Sequence, residues 1–189
     1  RKGFEAWRRV APIERARLVS ELKDLYAAKN FQKILFSIES YIPRCSEDNL
    51  ATEQEKSDVV HDYLAYLAEQ LIRMNKEKEA EIKDFLRWLE CYIGAKVEDL
   101  TNKTKIQEYY ENDFSKLLNI LEENKRKLSI NPKKRNSIDD LSREYEDSKS
   151  KLQPIFQQIK ETDGLIDKIV YKLYGLTDEE TTIVDKAIR

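Results

Sequence analysis

Glycine and proline are scarce, four of each in 189 residues. Reverse turns depend on these two residues, glycine for positive φ and proline for a preset φ. A sheet protein of this length would need many more of both, so the composition argues for helices. Cysteine is nearly absent too: Cys45 and Cys91 stand far apart. They show neither zinc-ligand spacing nor a disulfide framework, and reduced thiols in a cytoplasmic protein are expected. There is one histidine, His61, and no His, Cys and carboxylate cluster at metal-ligand spacing. The longest stretch free of charge, Leu152–Ile159, falls far short of the ~20 apolar residues that cross a bilayer, so no membrane partner is expected. The chain opens Arg1-Lys2-Gly3, without Met or a signal-peptide pattern, and reads as an excised or processed piece of a longer polypeptide. Charge of one sign is missing as well. Lys and Arg number 34 against 36 Asp and Glu, a net charge of −2, so there is no global nucleic-acid signature.

What is present is hydrophobic periodicity. Forty per cent of the residues are hydrophobic and 37% charged, a balance that fits amphipathic helices with long solvated faces. Pro12 suits a first helical turn, and Ile13, Leu18, Val19, Leu22, Leu25 and Tyr26 continue one face to about Ala28. Phe31, Ile34, Leu35 and Ile38 mark a second, shorter helix that ends before Pro43. Thr52 and Glu55 have capping-box spacing and open a long helix with Val60, Tyr63, Leu64, Leu67, Leu71 and Met74 inside. The charged stretch Asn75–Glu81 is either solvated helix or a break before Ile82, Phe85, Leu86 and Leu89 resume the pattern, and Gly94 supplies a stop. A helix or helix pair is expected from about Lys103 to Leu128, with Phe114, Leu117, Leu118 and Leu121 inside.

Asn131-Pro132-Lys133-Lys134 reads as a linker and divides the chain into two expected parts, a helical subdomain at 1–130 and C-terminal helices at 131–189. From Ile138 through Leu141, Tyr145, Ser148, Leu152, Ile155, Ile159, Thr162, Ile166 and Ile169 to Leu173, steps of three and four alternate as in a heptad seam. Pro154 interrupts it. A mid-helix proline removes a hydrogen bond and costs ~3 kcal/mol, so a kink near Gln153 or two helices in line is expected. The expected fold is an all-α helical bundle with long, antiparallel, coiled-coil-like helices, the seam packing on the helix that opens at Thr52 or on another chain.

The end of the chain carries the clearest local signals. Ile166, Ile169, Val170 and Leu173 share a helical face, Gly175 can take the left-handed conformation that closes a helix, and Thr177 with Glu180 forms a capping box. The wording of Asp163–Glu180 also resembles the closing helices of type IIG restriction–modification enzymes and related N6-adenine DNA methyltransferases. A second stretch is similar to the same C-terminal regions: Lys83–Glu90, Gly94, Val97–Leu100 and Lys103–Tyr110. The resemblance implies a piece of a larger protein whose missing part binds S-adenosylmethionine and modifies DNA, with the rest of that polypeptide and DNA as partners. It implies no cofactor and no catalytic residue in this piece. Asn131-Pro132 begins like the target-amine motif of those enzymes, but Lys133 and Lys134 replace its second proline and its aromatic, so a turn is expected.

Two local basic stretches remain. Lys125, Arg126, Lys127, Lys133, Lys134 and Arg135 occur without an acid among residues 125–135, and Arg1, Lys2, Arg8, Arg9, Arg15 and Arg17 cluster near the start. The first group is the candidate contact for a DNA backbone, since clustered cations bind phosphate. His61 beside Asp62 is expected on a helix surface. Trp7, Trp88, Tyr109, Tyr110, Tyr171 and Tyr174 could stack on bases, though aromatics at apolar helical positions usually serve the core; of the adjacent pair Tyr109 and Tyr110, one is expected to face outward. The functional expectation is noncatalytic support of DNA recognition through backbone contact. The alternative is an interaction or dimerisation module using the seam, with a homodimer as one form.

Overall fold

A computed structural model describes residues 10–42 and 56–188. Among the described residues the secondary structure is helical throughout, with no strand: α1 (Pro12–Ala27), α2 (Phe31–Tyr41), α3 (Ser57–Ile93), α4 (Lys103–Gln107), α5 (Phe114–Glu123), α6 (Arg135–Leu173) and α7 (Asp178–Ile188). Short 3-10 turns at Val97–Asp99, Tyr109–Glu111 and Lys125–Lys127 fill the connections. The all-α expectation holds. Pro43, Cys45, the Thr52/Glu55 pair and the first nine residues lie outside the described residues.

The chain forms two compact units. One comprises residues up to Leu71 together with those from Glu161 on; the other is Ile72–Lys160. Each has its own core. In the first, Leu18, Val19 and Leu22 of α1, Ile34 and Ile38 of α2, and Val59, Val60, Tyr63 and Leu67 of α3 pack with Leu165 and Ile169 of α6. In the second, Phe85, Leu89 and Ile93 meet Val97, Leu100, Ile106, Tyr109, Leu117, Ile120 and Leu121, closed by Leu141, Tyr145 and Leu152. The Asn131–Pro132 turn lies inside this second unit.

Helix ends follow local chemistry. Gly94 takes φ +67° and its N–H reaches the Glu90 carbonyl at 3.0 Å, a left-handed cap that ends α3. At the end of α6, Gly175 takes φ +63°, the Gly175 N–H bonds to the Lys172 carbonyl, and the Leu176 N–H bonds to the Tyr171 carbonyl. That paired pattern satisfies two carbonyls that would otherwise be orphaned. Thr177 and Glu180 then exchange hydrogen bonds, Glu180 N–H to Thr177 Oγ1 at 3.3 Å and Thr177 N–H to Glu180 Oε2 at 2.9 Å.

Two open expectations are resolved, the Asn75–Glu81 stretch as helix and the seam as packed on α3 within the second unit, and others need correction. The Asn75–Glu81 stretch is continuous helix, and α6 is one unbroken helix through Pro154 rather than two in line. Proline deprives only the Ser150 carbonyl of its usual partner, and Ser150, Gln153 and Pro154 are exposed, so water can serve that carbonyl. Ile13 is not a core residue but 87% exposed. The segment 103–128 breaks into α4, two 3-10 turns and α5 because Asn112 ends one turn extended, and its side-chain amide donates back to the Glu108 carbonyl at 3.0 Å. The heptad seam is not free. Leu141, Tyr145, Ser148, Leu152, Thr162 and Ile169 are buried, and in the second unit Glu81–Lys151 (3.8 Å) and Tyr92–Asp140 (3.1 Å) pair α3 and α6 in antiparallel sense. Toward its end the buried stripe shifts to Leu165, leaving Ile166 half-buried and Leu173 exposed.

Candidate nucleic-acid interface

The basic stretch 125–135 is built on the second unit. Asn124, only 3% exposed, anchors its start: its Oδ1 accepts from the Thr101 N–H at 2.9 Å, and its amide donates to the Ile120 carbonyl at 2.8 Å and the Thr101 carbonyl at 3.2 Å. A buried amide satisfied on both sides fixes where α5 stops and the 3-10 turn begins. Farther on, the Ser129 N–H donates to the Ile93 carbonyl at 2.8 Å, tying the stretch to the end of α3. Asn131 then makes a side-chain turn, its Oδ1 accepting from the Lys133 N–H at 3.0 Å, while the Lys134 N–H returns to the Asn131 carbonyl at 3.1 Å. Pro132 is buried within that turn, and α6 starts at Arg135.

All six candidate cations are exposed, but they are not equivalent. Lys125 Nζ sits 3.0 Å from Glu122 Oε1, and Lys127 Nζ donates to the Asp99 carbonyl at 2.6 Å. The stretch is therefore not free of acid in space: Glu122, one turn earlier on α5, neutralises Lys125. The spacing of three was legible in the sequence; the Asp99 carbonyl, from a distant turn, was not. Arg126, Lys133, Lys134 and Arg135 have no carboxylate partner among the described residues. The last three cluster at the N-terminus of α6, whose first turn carries no acid. Asp140 comes later and is engaged by Tyr92 at 3.1 Å and Arg143 at 3.2 Å.

Cations at a helix N-terminus oppose the helix dipole, a cost of about 0.3–1 kcal/mol at an exposed site. An anion bound there would be held by both the free N–H groups and the side chains. The arrangement can hold phosphate.

The second basic group fares differently. Arg1, Lys2, Arg8 and Arg9, like Trp7, lie outside the described residues. Arg15 is clasped by Asp62 and Asp58, which raises its guanidinium pKa through the Asp62 hydrogen bond and lowers that of Asp62. Arg17 pairs with Glu21 at 3.0 Å. These two arginines serve ion pairs rather than an anion site. His61 is exposed on α3. Tyr109 is fully buried against Ser148 (2.5 Å), with its phenol pushed up to about 12 by burial, whereas Tyr110 is half-buried. Trp88 and Tyr171 are half-buried and Tyr174 is 78% exposed. Among the described residues no group of three His, Cys, Asp or Glu side chains could hold a metal ion. Gly94 and Gly175 both close helices. No helix among the described residues is long and apolar enough to cross a membrane.

Comparison with known proteins gives one family. Residues 52–170 match the family model described as a domain of unknown function, DUF8810. No curated protein matches, and no solved structure matches.

Proposed function

Starting from a chain that belongs to the DUF8810 domain family, we propose a noncatalytic helical domain that contacts the DNA backbone for a larger adenine-methylating, restriction–modification type enzyme. The supporting observation is the group Lys133, Lys134 and Arg135 at the acid-free first turn of α6, exposed and without carboxylate partners among the described residues. Arg126 extends it. Such contacts position a protein on a duplex but carry no sequence information. The resemblance of the Asp163–Glu180 and Lys83–Tyr110 stretches to the C-terminal regions of type IIG enzymes supplies the parent chemistry. Methyl transfer from S-adenosylmethionine and any cleavage belong to that parent.

The test is titration of the 189-residue chain into unrelated duplexes over a range of salt. Phosphate-only binding predicts a Kd of roughly 10⁻⁴–10⁻⁶ M at physiological salt, similar for every sequence. Replacing Lys133, Lys134 and Arg135 by Ala should weaken binding on all duplexes alike and reduce the salt slope by about 0.9 for each phosphate no longer neutralised. An unchanged slope removes this turn from the reading.

A second reading, an association module, rests on other residues than the seam, whose central positions are buried within the chain. Phe36 at 73%, Tyr174 at 78% and Ile183 at 66% exposure are large apolar side chains left in solvent in the first unit. Concentration-dependent sedimentation without DNA affinity would favour it.

A further inference from the structure

A groove on the second unit, about 820 Å³ in volume, is lined by Tyr110, Leu152, Pro154 and Phe156 with Lys149 and Lys160. Gln153 and Gln157 complete its wall. The Tyr110 and Phe156 rings lie 5.2 Å apart, tilted by 37°, and both are half-exposed in the groove lining. Lys78 Nζ stands 5.8 Å from the Phe156 ring and is held by Asn75 Oδ1 at 2.9 Å. Lys149 Nζ spends two of its three protons on the Asn112 carbonyl and the Tyr145 hydroxyl, both at 3.1 Å. Lys78, Lys149 and Lys160 have no carboxylate partner among the described residues. Burial raises the pKa of the Tyr110 phenol, with smaller contributions from Glu111 and then Glu108.

Aromatic faces combined with uncompensated cations suit a base and its phosphate, and a groove of this size matches small-ligand sites. One nucleotide, however, is too short. Lys149 and Lys160 lie eleven residues apart on one helix, ~16 Å along its axis, whereas successive phosphates of a stacked strand rise ~3.4 Å. We propose that this groove binds an unpaired nucleic-acid strand, with a base on the Tyr110–Phe156 surface and flanking phosphates on Lys149, Lys160 and Lys78. The site is separate from the Lys133–Arg135 turn and does not depend on duplex contacts there.

The test uses the 189-residue chain and a labelled oligothymidylate carrying one 5-iodouracil, with a duplex of equal length and thymidine monophosphate as competitors. Photocrosslinking should place the adduct on Tyr110 or Phe156. Phe156→Leu, which keeps bulk but removes the ring, should weaken strand binding about fivefold or more, the usual scale for losing one stacked base. Lys160→Ala, at an exposed position, should also weaken it and flatten its salt dependence. The Lys133, Lys134 and Arg135 triple variant should leave the adduct in place while losing duplex affinity. Crosslinks elsewhere, or full strand affinity in both groove variants, overturn the groove and leave the turn standing. Competition by thymidine monophosphate as strong as by the oligonucleotide overturns the strand as occupant.

Discussion

Replacing Gly94 by Ala tests how the basic stretch is fastened to the second unit. Two separable penalties act there. Gly94 holds φ +67°, a conformation that costs an L residue roughly 1–2 kcal/mol. A Cβ would also collide with Ser129 Oγ and lie 2.7 Å from Ser129 Cβ. The hydroxyl could rotate away. The Cβ cannot, because the Ser129 N–H is bonded to the Ile93 carbonyl at 2.8 Å, so backbone must move at about 1–3 kcal/mol, the range for overpacking. Together Gly94→Ala should cost about 2–5 kcal/mol, read as a lower urea midpoint with an unchanged slope. Ser129→Gly removes the offending Cβ, so the Gly94→Ala, Ser129→Gly pair should recover the steric part and retain the φ part. A loss below about 1 kcal/mol for Gly94→Ala, or a double variant no more stable than the single, would refute the account.

Lys29 occupies the same left-handed position at the end of α1 with φ 55°, inside a paired cap made by the Lys29 and Asn30 N–H groups. Lys29→Gly should raise stability by about 1 kcal/mol, less a small term for the exposed Glu161 pair, measurable by urea melts. The Tyr63 hydroxyl is buried without a hydrogen-bond partner, and burial pushes its phenol well up. Tyr63→Phe should therefore be neutral or stabilising by up to about 1 kcal/mol, and a clear drop in Tm would contradict it. Glu90 has its pKa lowered by the Lys96 hydrogen bond at 2.9 Å and then by the Val97 N–H. A depressed carboxylate contributes stability that is fully present above its unfolded value, ~4.3, and is lost as pH falls through the folded one. The stability gap between the protein and Glu90→Gln should shrink only below about pH 4, and a gap constant down to acid unfolding would dismiss the pairing.

The helical class was legible because period and composition agree, and so were the two glycine stops and the Thr177–Glu180 cap, each decided by neighbours close along the chain. What escaped depends on distant partners. Leu165 is fully buried in the first core and Ile166 only partly buried against it, because α1, α2 and α3 set which side is inward, and no local pattern encodes that. Ile13 escaped for another reason: nine residues at about 100° each set it half a turn away from Leu22, so its exposure follows from helix geometry and not from distant partners. Of the six candidate cations, sequence could not show that Lys127 is held by the Asp99 carbonyl, twenty-eight positions away. That one of Tyr109 and Tyr110 faces outward was legible but not which, and Phe156, Lys149 and Lys160 join Tyr110 only through the packing of α6 on the Tyr109–Glu111 turn.

The first unit is discontinuous along the chain, with all of Ile72–Lys160 inserted between its halves, and this dictates an order of events during synthesis. Leu18, Leu22, Ile34, Ile38 and Tyr63 leave the ribosome early, but Leu165 and Ile169, which complete their core, emerge only after every residue of the second core from Phe85 to Leu152. Apolar faces of α1 and α2 must wait for that delivery, the kind of delay that exposes a nascent chain to aggregation. If the inserted unit is unfolded, the first must close over a loop of ~90 residues, an entropic cost of about 4 kcal/mol. A nascent chain halted before Leu165 should hold a finished second core and an open first one.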